Sequence, residues 1–154
     1  MPFRTIPRIA TKDDTSKIYK LLLDMHSESK MGSLNKSKVL EKILHVFHNG
    51  IIIVTETNEE ISGTMGLLPF DFWWSDDKAL GDQWLFVSKK YRSTRSFHTL
   101  VNSAKKISEQ AKLPLLLANF GTVAEERKSK LYERLGVKMG TTIMTGYKPQ
   151  SFGE

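Results

Sequence analysis

The apolar run Leu85-Phe86-Val87 leads into the basic, hydroxyl-rich sequence SKKYRSTRS and then into a helix-forming segment with one apolar stripe. A unit of this kind constrains the fold, because the strand needs a sheet and the helix needs a sheet face to cover. Phe97, Leu100, Val101, Ala104, Ile107 and Ala111 recur at three- and four-residue spacing, with Lys105, Lys106, Glu109 and Lys112 off the stripe. Charge is concentrated in the same place. Between Lys89 and Lys112 stand seven basic residues and one acid, Glu109, and the whole chain carries +6. Positive charge at a strand-to-helix turn suits a phosphate-bearing ligand, since free N–H groups and the helix dipole add to it. The alternative is a solvated basic helix face.

The flanking sequence reads as alternating elements. Residues 8–11 form a short first strand, and Asp13 or Asp14 caps a helix with Ile18, Leu21, Leu22 and Met25 on one face. A second helix starts at Asn35, buries Val39, Leu40, Ile43, Leu44 and Phe47, and ends at Asn49-Gly50. Residues 51–54 read as a strand buried on both faces, and Asn58-Glu59 turns it back into a strand over 61–68. An irregular loop over 69–82 mixes Phe70, Phe72, Trp73 and Trp74 with Asp71, Asp76, Asp77 and Asp82, before a strand over 80–87. After the basic helix come a strand over 113–119, a helix over 124–135 closed by Gly136, and a last strand over 143–147. The expected order is β-α-α-β-β-β-α-β-α-β, a mixed α/β fold with an antiparallel meander and a helix crossover.

Composition excludes several classes. The chain has no cysteine, so disulfides, thiolate metal sites and a cysteine nucleophile are all absent. His45 and His48 are spaced to share a helix face, but no third ligand accompanies them. At 154 residues and 40% hydrophobic content the chain suits one globular domain. No segment reads as a signal peptide or membrane span, so the expectation is a soluble, cytoplasmic protein. The basic balance suits anionic partners such as CoA, nucleotides or nucleic acid.

The order of elements resembles the GNAT family of N-acyltransferases, which move an acyl group, usually acetyl, from acyl-CoA to an amine. Two local matches sharpen the resemblance. LFVSKKYRSTRSFHTLV is similar to the family's pyrophosphate-binding strand-turn-helix, with Leu85, Phe86, Val87, Tyr91 and Arg92 in register. KLYERLGVK is similar to its late helix, with Leu131, Tyr132, Leu135 and Gly136 matching. The resemblance implies one GNAT-like domain over residues 1–148 with a flexible tail at 149–154. One departure is clear: Arg95 and Phe97 stand where the family has glycines. Phe97 is expected to turn inward. Arg95 either supplies a charge-assisted bond to phosphate or blocks the cradle.

By the same resemblance, acetyl-CoA lies along Leu85, Phe86 and Val87, and its phosphates meet Tyr91, Arg92, Ser93, Thr94, Arg95, Ser96 and Phe97. A backbone N–H near Val87 polarises the thioester, the amine attacks directly, and Tyr132 protonates the departing thiolate or else packs in the core. The base is less visible. In a regular strand Gln83 and Asp82 point to opposite faces, which leaves Asp82 and Glu56 as the carboxylate candidates, each of which is otherwise a solvated group. Trp73, Trp74, Asp76 and Asp77 form the acceptor side for a cationic amine, or alternatively a homodimer contact. Two further classes compete with an acetyltransferase acting on a small-molecule or protein amine. One is a nucleic-acid-binding or nucleic-acid-modifying protein in which Tyr91 or His98 stacks on bases. The other is an inactive GNAT fold retained for binding or inhibition.

Overall fold

A computed structural model describes residues 4–29, 32–118 and 125–137. The elements are β1 (Thr5–Ile9), α1 (Thr15–Ser29), α2 (Lys36–Asn49), β2 (Ile51–Thr57), β3 (Glu60–Asp71), β4 (Lys78–Val87), α3 (Ser96–Ala111), β5 (Leu115–Leu116) and α4 (Glu125–Arg134). The mixed α/β order expected from sequence holds through α4. The strand expected over 143–147 and the tail over 149–154 lie outside the described residues.

The five strands form one sheet in the order β1-β2-β3-β4-β5. The first four are antiparallel, and β5 joins β4 in parallel after the α3 crossover. Period-two alternation feeds two cores. Ile52, Val54 and Trp84 face α1 and α2, meeting Ile18, Leu22, Ile43 and Val46. Ile53, Met65, Leu67, Leu85 and Val87 face α3 and α4, meeting Leu100, Val101, Ala104 and Tyr132. Ala111, expected on the buried stripe of α3, is exposed in its last turn.

Local chemistry fixes the joints. Asn35 caps α2 by accepting from the Lys38 N–H at 3.1 Å. Thr11 and Asp14 form a capping box, and the Arg8 guanidinium forks onto both Asp14 oxygens at 2.7 and 2.8 Å. That pairing draws the Asp14 pKa down to about 2. Asn58 and Glu59 both have positive φ, 53° and 63°, the geometry of a two-residue hairpin turn.

Strand boundaries differ from the sequence reading: β2 runs on to Thr57, and the strand expected over 113–119 is only Leu115–Leu116 among the described residues. The first strand begins at Thr5 and ends at Ile9, because its partner β2 continues to Thr57. The loop expected over 69–82 is mostly hairpin: β3 and β4 pair out to Asp71 opposite Lys78, leaving residues 72–77 at the tip. β2 stops pairing at Ile51 opposite Leu67, and β5 meets β4 at Leu80 and Gly81, so beyond Leu80 the end of this hairpin extends as a two-stranded arm. Pro69 sits on the arm's open edge, where its missing N–H costs no ladder bond.

Gly50 joins α2 to β2 at a place with no room for a side chain. A Cβ there would lie 2.0 Å from the Leu67 carbonyl oxygen. Gly50→Ala is therefore expected to destabilise the fold by about 1–3 kcal/mol or more, read as a lowered urea midpoint with an unchanged slope.

Candidate functional site

The site is organised by one irregularity in β4. Gly66 pairs with Trp84 while the next residue of β3, Leu67, pairs with Asp82, so Gln83 is an extra residue on β4. Such a bulge resets the alternation of the strand that carries it. Asp82 lies across from Leu67 and so shares the α3 face with Leu85 and Val87, whereas Gln83 is exposed. The regular-strand expectation, in which Gln83 would take that face, is thus corrected.

The bulge also redirects the backbone. The Ser88 N–H donates to the Ser62 carbonyl at 2.9 Å, and the ladder's alternation then aims the Phe86 and Trp84 groups at β3 as well. The N–H and C=O groups of Leu85 and Val87 therefore point to the other edge. On that edge β5 pairs with β4 only at Leu80 and Gly81 among the described residues. At Ala118 the N–H donates to the Asp82 carboxylate at 2.8 Å instead of to backbone. Among the described residues the β4 edge beyond Asp82 is therefore unpaired, and this opening is the candidate cleft, with Asp82 at its apex.

Tyr132 reaches the same region from α4. Its ring is 1% exposed and lies 5.3 Å from the Phe97 ring, while its hydroxyl has no hydrogen-bond partner among the described residues. Burial, with the Asp82 charge added, holds the phenol well above its ordinary pKa. Burial likewise pushes the Asp82 carboxyl up, against the Ala118 N–H and the Lys128 charge. Lys128, which sequence reasoning did not single out, stands one helical turn before Tyr132. Burial lowers its pKa and Asp82 opposes that shift. The only signal available in sequence was the four-residue spacing to Tyr132.

The basic turn caps the cleft at the far end of β4. Arg95 occupies the N-cap of α3 without making a side-chain cap, and no acidic residue stands in the first turn. The helix N-terminus and its dipole are therefore open to an anion. Thr94 and Ser96, expected among the ligand contacts, send their hydroxyls inward. Ser96 Oγ lies 2.8 Å from both Thr94 Oγ1 and Ser62 Oγ, and Ser62 Oγ lies 2.9 Å from Thr55 Oγ1. This buried hydroxyl chain anchors the turn to the sheet. Tyr91 is 4% exposed and donates its hydroxyl to Glu60, so its face is unavailable for stacking on a base. Arg92 pairs with Glu28 and donates from Nε to the Val87 carbonyl at 3.2 Å. Ser93 and Arg95 are exposed, and Phe97 packs inward as its place on the stripe requires.

Other expected site residues stand apart. Glu56 accepts from Arg8 Nε at 2.7 Å, two strands from β4, and does not join Asp82 and Tyr132. Trp73 and Trp74, 91% and 64% exposed, sit with Asp76 and Asp77 at the tip of the arm. Asp82 is four residues from Lys78, so roughly 14 Å of strand separates the tip from the cleft apex.

No protein-family model matches the chain, and no curated protein matches it. Solved structures do. A GNAT family acetyltransferase of Staphylococcus aureus superposes with a TM-score of 0.66 at 14% identity, over 94% of this chain and 98% of that one. An aminoglycoside acetyltransferase from an uncultured soil metagenomic sample gives 0.72 at 13% identity, over 95% and 97%. A predicted acetyltransferase of Clostridium acetobutylicum with acetyl-CoA gives 0.72 at 9% identity, over 92% and 95%. At these identities the likeness is one of fold, and the fold is that of the GNAT acetyltransferases.

The Asp82 environment has a pH signature. Its folded-state pKa is raised, so the folded carboxylate costs stability above the unfolded pKa and nothing below it. Asp82→Asn keeps an acceptor for the Ala118 N–H. Its stability is expected to exceed that of the parent at pH 7, with the gap closing as the pH falls toward 4, in urea titrations across that range.

Proposed function

We propose that this chain is an acetyl-CoA-dependent N-acetyltransferase that acylates a primary amine by direct attack. The observation that carries the reading is the bulge-opened cleft with the Tyr132 hydroxyl buried beside it and unpartnered among the described residues. A buried hydroxyl without a partner costs about 1–3 kcal/mol. A ligand atom arriving in the cleft to accept its hydrogen bond recovers that cost.

The residues present fit the cofactor. The outward Leu85 and Val87 backbone groups suit the amides of a pantetheine chain laid along the edge. Arg92 already occupies the Val87 carbonyl, so the Val87 N–H and both Leu85 groups remain for the ligand. The start of α3, whose first N–H is taken by Thr94 Oγ1 at 3.3 Å, offers its dipole, and the exposed Arg95 its charge, to the phosphates. Lys89 adds exposed charge beside the turn, while Lys90 is paired with Glu60. When bound, acetyl-CoA supplies an acyl group activated as a thioester.

The chain's residues then divide the work. The Val87 N–H, fixed in the strand, is placed to stabilise negative charge developing on the acyl oxygen. Tyr132, kept protonated by burial, holds the proton needed by a departing thiolate. Asp82 at the apex attracts the amine as its ammonium form. Farther out, Asp76 and Asp77 add negative potential for a cationic acceptor, and the exposed Trp73 and Trp74 faces suit cation–π contact or a second copy of the chain. The aminoglycoside acetyltransferase among the structural neighbours is consistent with a polyamine acceptor.

Two measurements test this reading. Calorimetric titration with acetyl-CoA is expected to give binding near the micromolar range, and Arg95→Ala to weaken it about tenfold, or about 1.4 kcal/mol. Absence of binding in the parent protein at millimolar acetyl-CoA removes the reading. Tyr132→Phe is expected to lower turnover by about a hundredfold or more. Its thermal stability should hold or rise, since the lost hydroxyl had no partner; a Tyr132 that merely packs would leave turnover unchanged.

A further inference from the structure

A lysine in a folded protein ordinarily carries its ammonium to water or pairs it with a carboxylate. Lys128 does neither. It is half-buried on α4, and no hydrogen bond or ion pair joins it to another described residue. Its position four residues before Tyr132 puts both side chains on the helix face that meets the β4 bulge. Asp82 acts on both of them electrostatically. One Asp82 oxygen is committed to the Ala118 N–H. Three titratable groups from two elements thus lie near the cleft apex, and among the described residues no hydrogen bond joins any two of them.

We propose that Lys128 is the base of the acyl transfer, its neutral amine accepting a proton from the acceptor's ammonium; the proposal rests on the acyltransferase reading above. The acceptor's N–H bond breaks and a new N–H bond forms on Lys128 Nζ. The freed amine lone pair forms the C–N bond at the thioester carbon, and the C–S bond breaks with its electron pair on sulfur. Sulfur takes the Tyr132 phenolic proton, and the phenolate is restored by the proton Lys128 received. The second proton of the nascent amide passes to the Asp82 carboxylate and then to water. The sum is ammonium plus thioester giving amide, thiol and one released proton, with every side chain returned to its starting state.

The surroundings support each role. Desolvation moves Lys128 toward its neutral form and Asp82 toward its protonated form, which brings their proton affinities closer and lowers the cost of moving a proton between them. An amine is also a better-matched acceptor for an alkylammonium proton than any ordinary carboxylate. Among the described residues, the charged group acting on Lys128 is Asp82 from β4, and Tyr132 lies one turn along its own helix. Lys105 of α3 is turned to the Leu135 carbonyl, 2.8 Å away at the other end of α4.

Two readouts test the proposal. In the free protein, lysine side-chain NMR resonances are followed against pH, with Lys128 assigned by its loss in Lys128→Arg. Lys128 is expected to titrate below the surface lysines, and lower still in Asp82→Asn; titration together with the surface lysines overturns the proposal. In the enzyme supplied with acetyl-CoA, Lys128→Met and Lys128→Arg are both expected to lower kcat about a hundredfold or more, with acetyl-CoA affinity retained in calorimetry. Arginine keeps the charge but cannot release its proton. Full activity in Lys128→Arg therefore overturns the proposal and leaves Lys128 a fixed countercharge. Failure of the parent protein to bind acetyl-CoA overturns the acyltransferase reading itself, and does so independently of the lysine titration.

Discussion

One residue too many in β4 governs the site. The pairing of β3 and β4 slips between Gly66 and Leu67, and Gln83 is pushed out to solvent. The backbone groups of Leu85 and Val87 then face an edge that β5 leaves open, and Asp82 moves to the face where α4 packs. Without the extra residue the strand would present Gln83 to α4 and keep Asp82 on the α1–α2 side. An open edge is ordinarily a liability, since it offers unpaired donors and acceptors to any passing strand. Here the face beside it is covered by α3 and by Tyr132 of α4.

Sequence reached the parts of this arrangement that depend on local chemistry. The stripes of α1 and α3, the Asn35 cap and the Asn58-Glu59 turn each follow from residues a few positions apart, and each stands where expected except for Ala111 at the exposed end of α3. Tyr132 and the basic turn were legible as motifs. The bulge was not, because it is a property of how β4 pairs with β3 and leaves no composition signal in either strand. The face of Asp82 inherits that ambiguity. The extent of the aromatic arm was hidden for a related reason: PFD and KALGD read as irregular when taken separately, and become strands only opposite one another. Lys128 escaped notice because burial at the start of α4 is decided by what β4 presents to it.

The charge count of the basic segment also changes meaning once paired residues are removed. Lys90 is held by Glu60, Arg92 by Glu28, and Lys105 by the Leu135 carbonyl. Such exposed pairs contribute little stability, but they fix where the remaining charge acts. Arg95 and Lys89 stay exposed at the helix start, while Lys106 is exposed farther along α3 and Lys112 at its C-cap. The hydroxyl chain through Thr55, Ser62, Ser96 and Thr94 explains how the turn keeps its shape without the family's glycines: its backbone is tied down to β3 from beneath.

The cluster at the cleft apex works against the stability of the free protein. A phenol without a partner, a carboxylate raised by burial and a lysine lowered by it each favour a less polar replacement on packing grounds alone. Phenylalanine at 132 and an aliphatic residue at 128 would fill the same space at lower desolvation cost. A chain that folds with all three carries a local deficit that a bound partner can offset, because any ligand satisfying these groups stabilises the folded state in proportion to its binding. On the acyltransferase proposal, an amine would bring a donor for Asp82 and a proton for Lys128, and a thioester sulfur would bring an acceptor for Tyr132. On that proposal, the groups that cost the free protein stability are the ones that would select that pair of reactants.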